Sequence, residues 1–338
     1  MGEKHGDQTY LFTNPPSLIG ARSVVGPREA AGPLGQYFDL KINDPLFGER
    51  TAEKAERRFL VEACNATLEG TGVAGGDIDF LLAGDLLNQI ISASFTAREL
   101  KIPFLGLYGA CSTVAEASAL AGFLLDGGFG SNVLVGVSSH YQTAERQYRY
   151  PIELNLKHKL SAQYTVTGAG AFLYAKAGAG PYLTGVTVGK IVDYQIKDPN
   201  DMGAAMAPAA ADTILQHLED TGREPNYYDL ILTGDLGKVG MQLTSALLEQ
   251  CGVSLGSIYQ DGGAMMFGGD PAQGAGGSGC ACSAVITAGY VLKEMAAGKF
   301  KRALIVGTGS LHSPLTWQQG ESIPGIAHAF VLERQGAA

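Results

Sequence analysis

Positive charge is scarce in this chain: 24 Lys and Arg stand against 33 Asp and Glu, giving a net charge of −9. A nucleic-acid grip displaces counterions with basic surface, so that class of partner is excluded. An anionic ligand would need a local cationic or backbone site. Long apolar runs are missing too. The longest, Ala115 to Leu125, is broken by Glu116 and Ser118 and falls far short of the ~20 residues of a membrane-spanning helix. The opening Met1-Gly-Glu-Lys-His-Gly6 lacks the apolar stretch of a secretory signal, so a soluble protein of cytoplasmic type is expected. Cysteines are few and odd in number, five in 338 residues, which favours free thiols in a reducing compartment over a disulfide framework. Cys280-Ala-Cys282 is too tight for a zinc knuckle and no second ligand pair follows, so no structural metal site is expected. Long polar or charged tracts are likewise absent. With 46% hydrophobic residues the chain can bury a large core, in one big domain or two of ordinary size.

What the chain does have is glycine and an internal repeat. Its 47 glycines are about twice the usual share and imply many tight strand–helix junctions. Asp79-Phe-Leu-Leu-Ala-Gly-Asp-Leu86 is echoed by Asp229-Leu-Ile-Leu-Thr-Gly-Asp-Leu236. Ala110-Cys111-Ser112 matches Ala281-Cys282-Ser283 at an offset of 171, and the same offset lays Gly127 on Gly298, Phe129 on Phe300 and Ser139 on Ser310. Two copies of one unit follow from this, 1–180 and 181–338.

Each copy alternates strand and helix. Helical spacing runs over 52–68 and 205–218, and short apolar runs that stop at glycine or a polar residue predict strands at 78–83, 104–108, 133–137, 230–233 and 303–307. The stretches 112–125 and 283–297 are apolar nearly all round, which predicts helices buried on every side. The expected fold class is therefore α/β: a duplicated, five-layered αβαβα stack with two central helices between two sheets. The segment 141–162 has no counterpart in the second copy and reads as an inserted loop region over the first.

Candidate site residues gather where strands meet helices. Cys111 enters a buried helix, where unpaired amides lower a thiol pKa and suit a nucleophile; the competing reading is a small buried apolar residue. Ser112 shares that turn. His140 follows a strand on the carboxyl edge where open α/β sheets bind ligands, and His312 lies near the matching edge of the second copy. Asp85 and Asp235 occupy equivalent places. They either face one another across the pseudo-twofold to hold a cation or share a proton, or each caps its own turn. Arg146 and Arg149, among Tyr148 and Tyr150, suit a planar carboxylate or form a solvated face. The glycine run that holds Ser278 and leads into Cys280 is a weak phosphate loop, but precedes a buried helix and offers amides to an anion.

Duplicated halves of this kind resemble the thiolase and ketoacyl-synthase superfamily. Gly109-Ala-Cys-Ser-Thr113 is similar to its nucleophile turn, and Gly276-Gly-Ser-Gly-Cys-Ala-Cys-Ser283 to its last glycine-rich turn. The resemblance implies a cysteine paired with two second-half residues, His with His or Asn. Here Gly234-Asp235 and the region of Ser278 stand at those places, so no general base for condensation is expected. A closer resemblance covers about Gly20 to the C-terminus. Leu82-Ala-Gly-Asp-Leu-Leu-Asn-Gln89, Thr143-Ala-Glu-Arg-Gln-Tyr-Arg-Tyr-Pro151, Asp201-Met-Gly-Ala-Ala-Met-Ala-Pro-Ala-Ala-Ala-Asp-Thr213 and Glu321-Ser-Ile-Pro324 resemble the stage V sporulation protein AD family.

That resemblance implies a non-catalytic protein that binds dipicolinate (pyridine-2,6-dicarboxylate) or its calcium chelate during uptake into the developing bacterial spore. It also implies small membrane proteins of the same operon as partners, and a peripheral location at the inner membrane of the forespore through them. No cofactor is implied beyond Ca²⁺ carried with the ligand. The pocket candidates toward dipicolinate are Cys111, Ser112, His140, Arg146, Arg149, Asp85, Asp235, Ser278 and Cys280. Asp85 or Asp235 would take calcium, and Arg146 or Arg149 a carboxylate. The alternative is an acyl-thioester enzyme with Cys111 as nucleophile. A homodimer through the strand at 104–108 is expected from the superfamily.

Overall fold

The computed structural model describes residues 2–149 and 159–334. Ten strands run in one hydrogen-bonded path that divides into two groups of five. In the first group Ser17–Val25 pairs antiparallel with Gly168–Ala175, which pairs antiparallel with Asn132–Ser139. Phe80–Gly84 and the edge strand Phe104–Gly106 then follow in parallel. The second group repeats that order: Tyr182–Thr187, Gly325–Glu333, Arg302–Ser310, Leu230–Thr233 and Tyr259–Asp261, antiparallel twice and then parallel twice. A single residue pair, Tyr182 with Ser17, joins the groups.

Alternation along the strands sends side chains to two cores at once. In the first group Leu81, Ala83 and Leu134 face an outer layer, where they meet Phe59, Leu60 and Ala63 of the helix Ala52–Thr71. Their neighbours Leu82, Val133 and Val135 face inward. In the second group Ile231, Leu304 and Val306 meet Ile214 and Leu218 of the helix Met202–Thr221, while Leu232 and Ile305 turn inward. Between the sheets lie the helix Thr113–Asp126 and the helical run that starts at Cys280–Ile286. Their Val114, Ala115, Ala117, Ala284 and Val285 join one central core. Small side chains let these two helices fit between the sheets. Helix, sheet, buried helices, sheet, helix is the five-layer stack that the apolar patterning predicts.

Helix ends follow local chemistry. Thr51 and Asp201 cap the two outer helices by accepting from Lys54 and Ala204 amides, and Gly72 and Gly222 end them in the left-handed region. The expected strand at 104–108 stops at Gly106, because the chain leaves the sheet there to form the Cys111 turn. Within the inserted segment Tyr141–Tyr148 is a helix capped by His140; Tyr150 and the stretch 151–158 lie outside the described residues.

Candidate functional site

The Cys111 turn is locked by its own neighbours. Ala110 adopts a left-handed φ of 50°, a conformation that costs a residue with a Cβ about 1–2 kcal/mol. Its carbonyl accepts from Thr113 Oγ1 at 2.6 Å and from the Cys280 thiol at 3.0 Å. The Gly109 carbonyl takes the Ser112 hydroxyl at 2.7 Å and the Ser112 amide at 3.0 Å. Across the turn, a Cβ on Gly309 would stand 2.5 Å from the Gly109 carbonyl oxygen, so the strand Arg302–Ser310 needs glycine at that point of closest approach.

Cys111 opens onto a cavity of about 30 Å³, lined also by Ser278, Tyr108, Tyr148, Arg149 and His312. That is room for one or two water molecules. Behind Cys111, its sulfur is 4.0 Å from Ser278 Oγ, which donates to Asp235 at 3.1 Å. Asp235 also accepts from the Gly279 amide at 2.9 Å and from Thr308 Oγ1 at 2.8 Å. Burial pushes the Asp235 carboxyl up to about 6 against the pull of those donors. Burial, then the charge of Asp235, pushes the Cys111 thiol well above its ordinary range. The thiolate expected at a helix N-terminus is therefore disfavoured: desolvation and a facing carboxylate outweigh the helix-end amides, and the Ser112 amide is already spent on Gly109.

The inserted segment closes the cavity. Arg149 is 4% exposed at its side chain and pairs with Glu145, one helical turn back. Its Nη1 lies 3.5 Å from Thr165 Oγ1, and its Nε has no partner among the described residues. The Tyr148 hydroxyl donates to the Leu86 carbonyl, and the Tyr108 hydroxyl meets it at 2.9 Å. His312 Nε2 lies 3.2 Å from the Tyr148 carbonyl oxygen, and its Nδ1 is buried without a partner among the described residues. Outside this ring of Tyr108, Tyr148 and His312 lies a second cavity of about 400 Å³, reaching to Asn88 and Pro314. The two form an outer chamber and an inner one, with the tyrosine pair between them.

Of the nine candidates, the structure brings Cys111, Ser278 and Arg149 to the inner cavity, with Asp235 directly behind. It moves the others elsewhere. His140 donates from Nε2 to the Pro45 carbonyl at 2.8 Å, accepts from the Gln142 amide at Nδ1, and lines a separate cavity with Arg28 and Tyr164. Arg146 is half exposed and pairs with Glu53 at 2.8 Å on the outer face of its helix. Asp85 accepts from the Leu87 and Ala93 amides, both at 2.8 Å, and so caps its own loop. It shares no partner with Asp235, so the two do not form the cation pair weighed from sequence. Every oxygen of both carboxylates already accepts from an internal donor, and among the described residues no group of three or more His, Cys, Asp or Glu is placed to hold a metal. Ser112 and Cys280 serve the turn and do not line the cavity. The Gly276 and Gly279 amides are likewise committed, to Gln273 and Asp235, so the glycine run offers neither to an anion.

Sequence reasoning passed over Tyr108, Glu145, Thr308 and Ser310 as site residues. The Glu145–Arg149 spacing of four, across the end of one helix, was a readable signal for the buried pair.

Comparison with known proteins narrows the reading. A family model for stage V sporulation protein AD matches residues 6–333. The chain is 46% identical over 333 residues to the stage V sporulation protein AD of Bacillus subtilis (strain 168), covering 98% of each. Among solved structures it is similar to 3-oxoacyl-[acyl-carrier-protein] synthase III from Aquifex aeolicus VF5, with a TM-score of 0.59, 14% identity, and 94% and 99% of the two chains covered. It is also similar to a single-residue variant of Xanthomonas campestris OleA, with a TM-score of 0.64, 12% identity, and 95% and 99% covered. At such identities these structures speak for the fold, which is the thiolase-like one of condensing enzymes.

Proposed function

The chain belongs to the stage V sporulation protein AD family, and on that premise we propose that it binds dipicolinate, as free acid or calcium chelate, without turning it over. The observation that carries this reading is the buried Arg149, whose Nε points at no partner among the described residues while lining a cavity beside Cys111, Ser278 and His312. A buried donor left unpaired costs about 1–3 kcal/mol, and a ligand carboxylate would recover it. Tyr108 and Tyr148 supply flat walls for a pyridine ring. The inner cavity of about 30 Å³ is too small for that ligand, so entry requires the Tyr108–Tyr148 contact to part and the ligand to span inner and outer chambers. Calcium would arrive already chelated by the ligand, since Asp85 and Asp235 spend their oxygens on internal donors.

The same reading makes the protein a soluble component of spore uptake of dipicolinate, docked at the inner forespore membrane through small membrane proteins of the same operon. Among the described residues no helix is long and apolar enough to cross a membrane. Self-association would use the edge strand Phe104–Gly106, whose own Leu105 stands 45% exposed, with Phe95 of the helix Ile91–Leu100 44% exposed.

Calorimetric titration with dipicolinate, with and without Ca²⁺, tests the reading. Saturable binding weakened in Cys111→Ala and Arg149→Ala supports it. Absence of heat under both conditions refutes it. The second reading, an acyl-thioester enzyme, draws on the fold and on Cys111 at a helix entrance. It requires an acyl adduct on Cys111 after incubation with acyl-CoA, and its loss in Cys111→Ala. Against it stand the raised thiol pKa and the presence of Asp235 and Ser278 where the superfamily resemblance calls for His and Asn or His.

A further inference from the structure

The His312 ring has one committed nitrogen and one idle one. Nε2 faces the Tyr148 carbonyl oxygen, 3.2 Å away. A carbonyl only accepts, so Nε2 carries the proton and Nδ1 of the neutral ring is a bare lone pair. That lone pair is buried, on a residue that is 5% exposed and lines the inner cavity, and it has no partner among the described residues. A dicarboxylate offers only acceptors, and an acceptor cannot satisfy a lone pair. The surrounding charges sharpen the conflict. Arg149 is already matched by Glu145 on the same helix. From the second half Asp235 stands behind Ser278, and the remaining titratable neighbours, Cys111, Tyr108 and Tyr148, are all pushed toward their neutral forms. A dianion entering this site meets one cation and two carboxylates.

We propose that His312 takes up a proton at Nδ1 when the anion binds and becomes the second cationic donor beside Arg149 Nε; this rests on the ligand reading given above. The proton comes from solvent, adds to the Nδ1 lone pair, and no covalent bond breaks. In the free protein burial, and then the Arg149 charge, hold the ring below its ordinary pKa, partly offset by the Tyr148 carbonyl. The bound anion raises it. Affinity is then complete below the free-state pKa and falls as pH rises through the bound-state pKa, by up to about tenfold per unit between them. The calcium chelate, whose metal cancels both carboxylate charges, binds without this uptake.

The test is titration of the full chain with dipicolinate at neutral pH in two buffers of different ionisation heat. About one proton per ligand is expected for the native chain, and close to none with the calcium chelate. His312→Gln should lose the uptake, bind about tenfold more weakly, and lose the pH dependence. Trp317 is the single tryptophan, with its ring 6.3 Å from His312. Its fluorescence should fall as the free acid binds the native chain, and its intact signal reports that the variant is folded. Saturable binding of the free acid without proton uptake overturns the inference and leaves the ligand reading intact, as does uptake that persists in His312→Gln. Binding of the chelate alone overturns the inference as well. No binding of either form overturns both.

Discussion

Each half of this molecule carries an Ala-Cys-Ser motif and a Gly-Asp-Leu strand end, and the two copies have been put to different uses. In the first half the cysteine faces the cavity and the aspartate is a loop cap. In the second half the aspartate backs the cavity and the cysteine is core. Cys282 is fully buried, with its thiol 3.6 Å from the Gly234 carbonyl oxygen. The repeat offset shows why. Thr113, where the first buried helix begins, corresponds to Ala284, yet the second helix already begins at Cys280. That is about one turn earlier. One extra turn draws Cys282 into the helix, away from the cavity, whereas Cys111 stays ahead of its helix, on a buried turn with the left-handed Ala110 that borders the cavity. A duplicated fold thus assembles one site from unequal contributions of its halves.

Substitutions at paired positions test that division. The largest effect is expected at the aspartates. Asp85→Ala and Asp235→Ala each strand buried donors and should each cost about 2–4 kcal/mol in denaturant unfolding. Only Asp235→Ala should also change the proposed dipicolinate binding by the folded fraction, because it releases Ser278 and removes a carboxylate behind the cavity; an equal change in Asp85→Ala would break the comparison. Both carboxyls are pushed up to about 6, chiefly by burial. An acid raised in the fold loses stability as pH climbs from its unfolded to its folded pKa. The penalty of Asp85→Asn or Asp235→Asn should therefore shrink between about pH 4 and pH 6, measured as the difference from the native chain.

The arginine pair comes next. Arg149→Ala should weaken binding at least about tenfold by removing a buried charged donor. Arg146→Ala should change it less than about twofold, because an exposed ion pair contributes little; calorimetry on the two side by side decides. The smallest effect is expected at the cysteines. In timed alkylation read by mass spectrometry, exposed Cys251 reacts first and Cys282 stays inert. Cys111 reacts slowly, and dipicolinate should slow it further. Protection of Cys282 by the ligand would contradict the assignment of cavity to the first-half turn.

Much of the fold was legible because it is written in patterns that depend on near neighbours. The repeat, the strands ending at Gly84 and Thr233, and the helices apolar all round gave the duplicated five-layer stack. The site was less legible. His140 and His312 both follow a strand-end serine, one directly and the other after Leu311. That one-residue difference leaves His140 on Pro45 and brings His312 to the cavity. Arg146 and Arg149 are three apart on one short segment, but Glu53 holds the first outside and Glu145 holds the second within.

By itself, then, the sequence determined the layers and the duplication, since the periodicity of apolar side chains sets which face of each strand or helix must leave water. Tertiary structure alone decided which copy of each motif became part of the site. The partners that settle it lie far apart in the chain: Cys111 with Ser278, His312 with Tyr148, Asp235 with Thr308. A thiol, an imidazole or a carboxylate takes its charge from what surrounds it, and those surroundings exist only once segments distant in the chain, within one half or from both, have packed together.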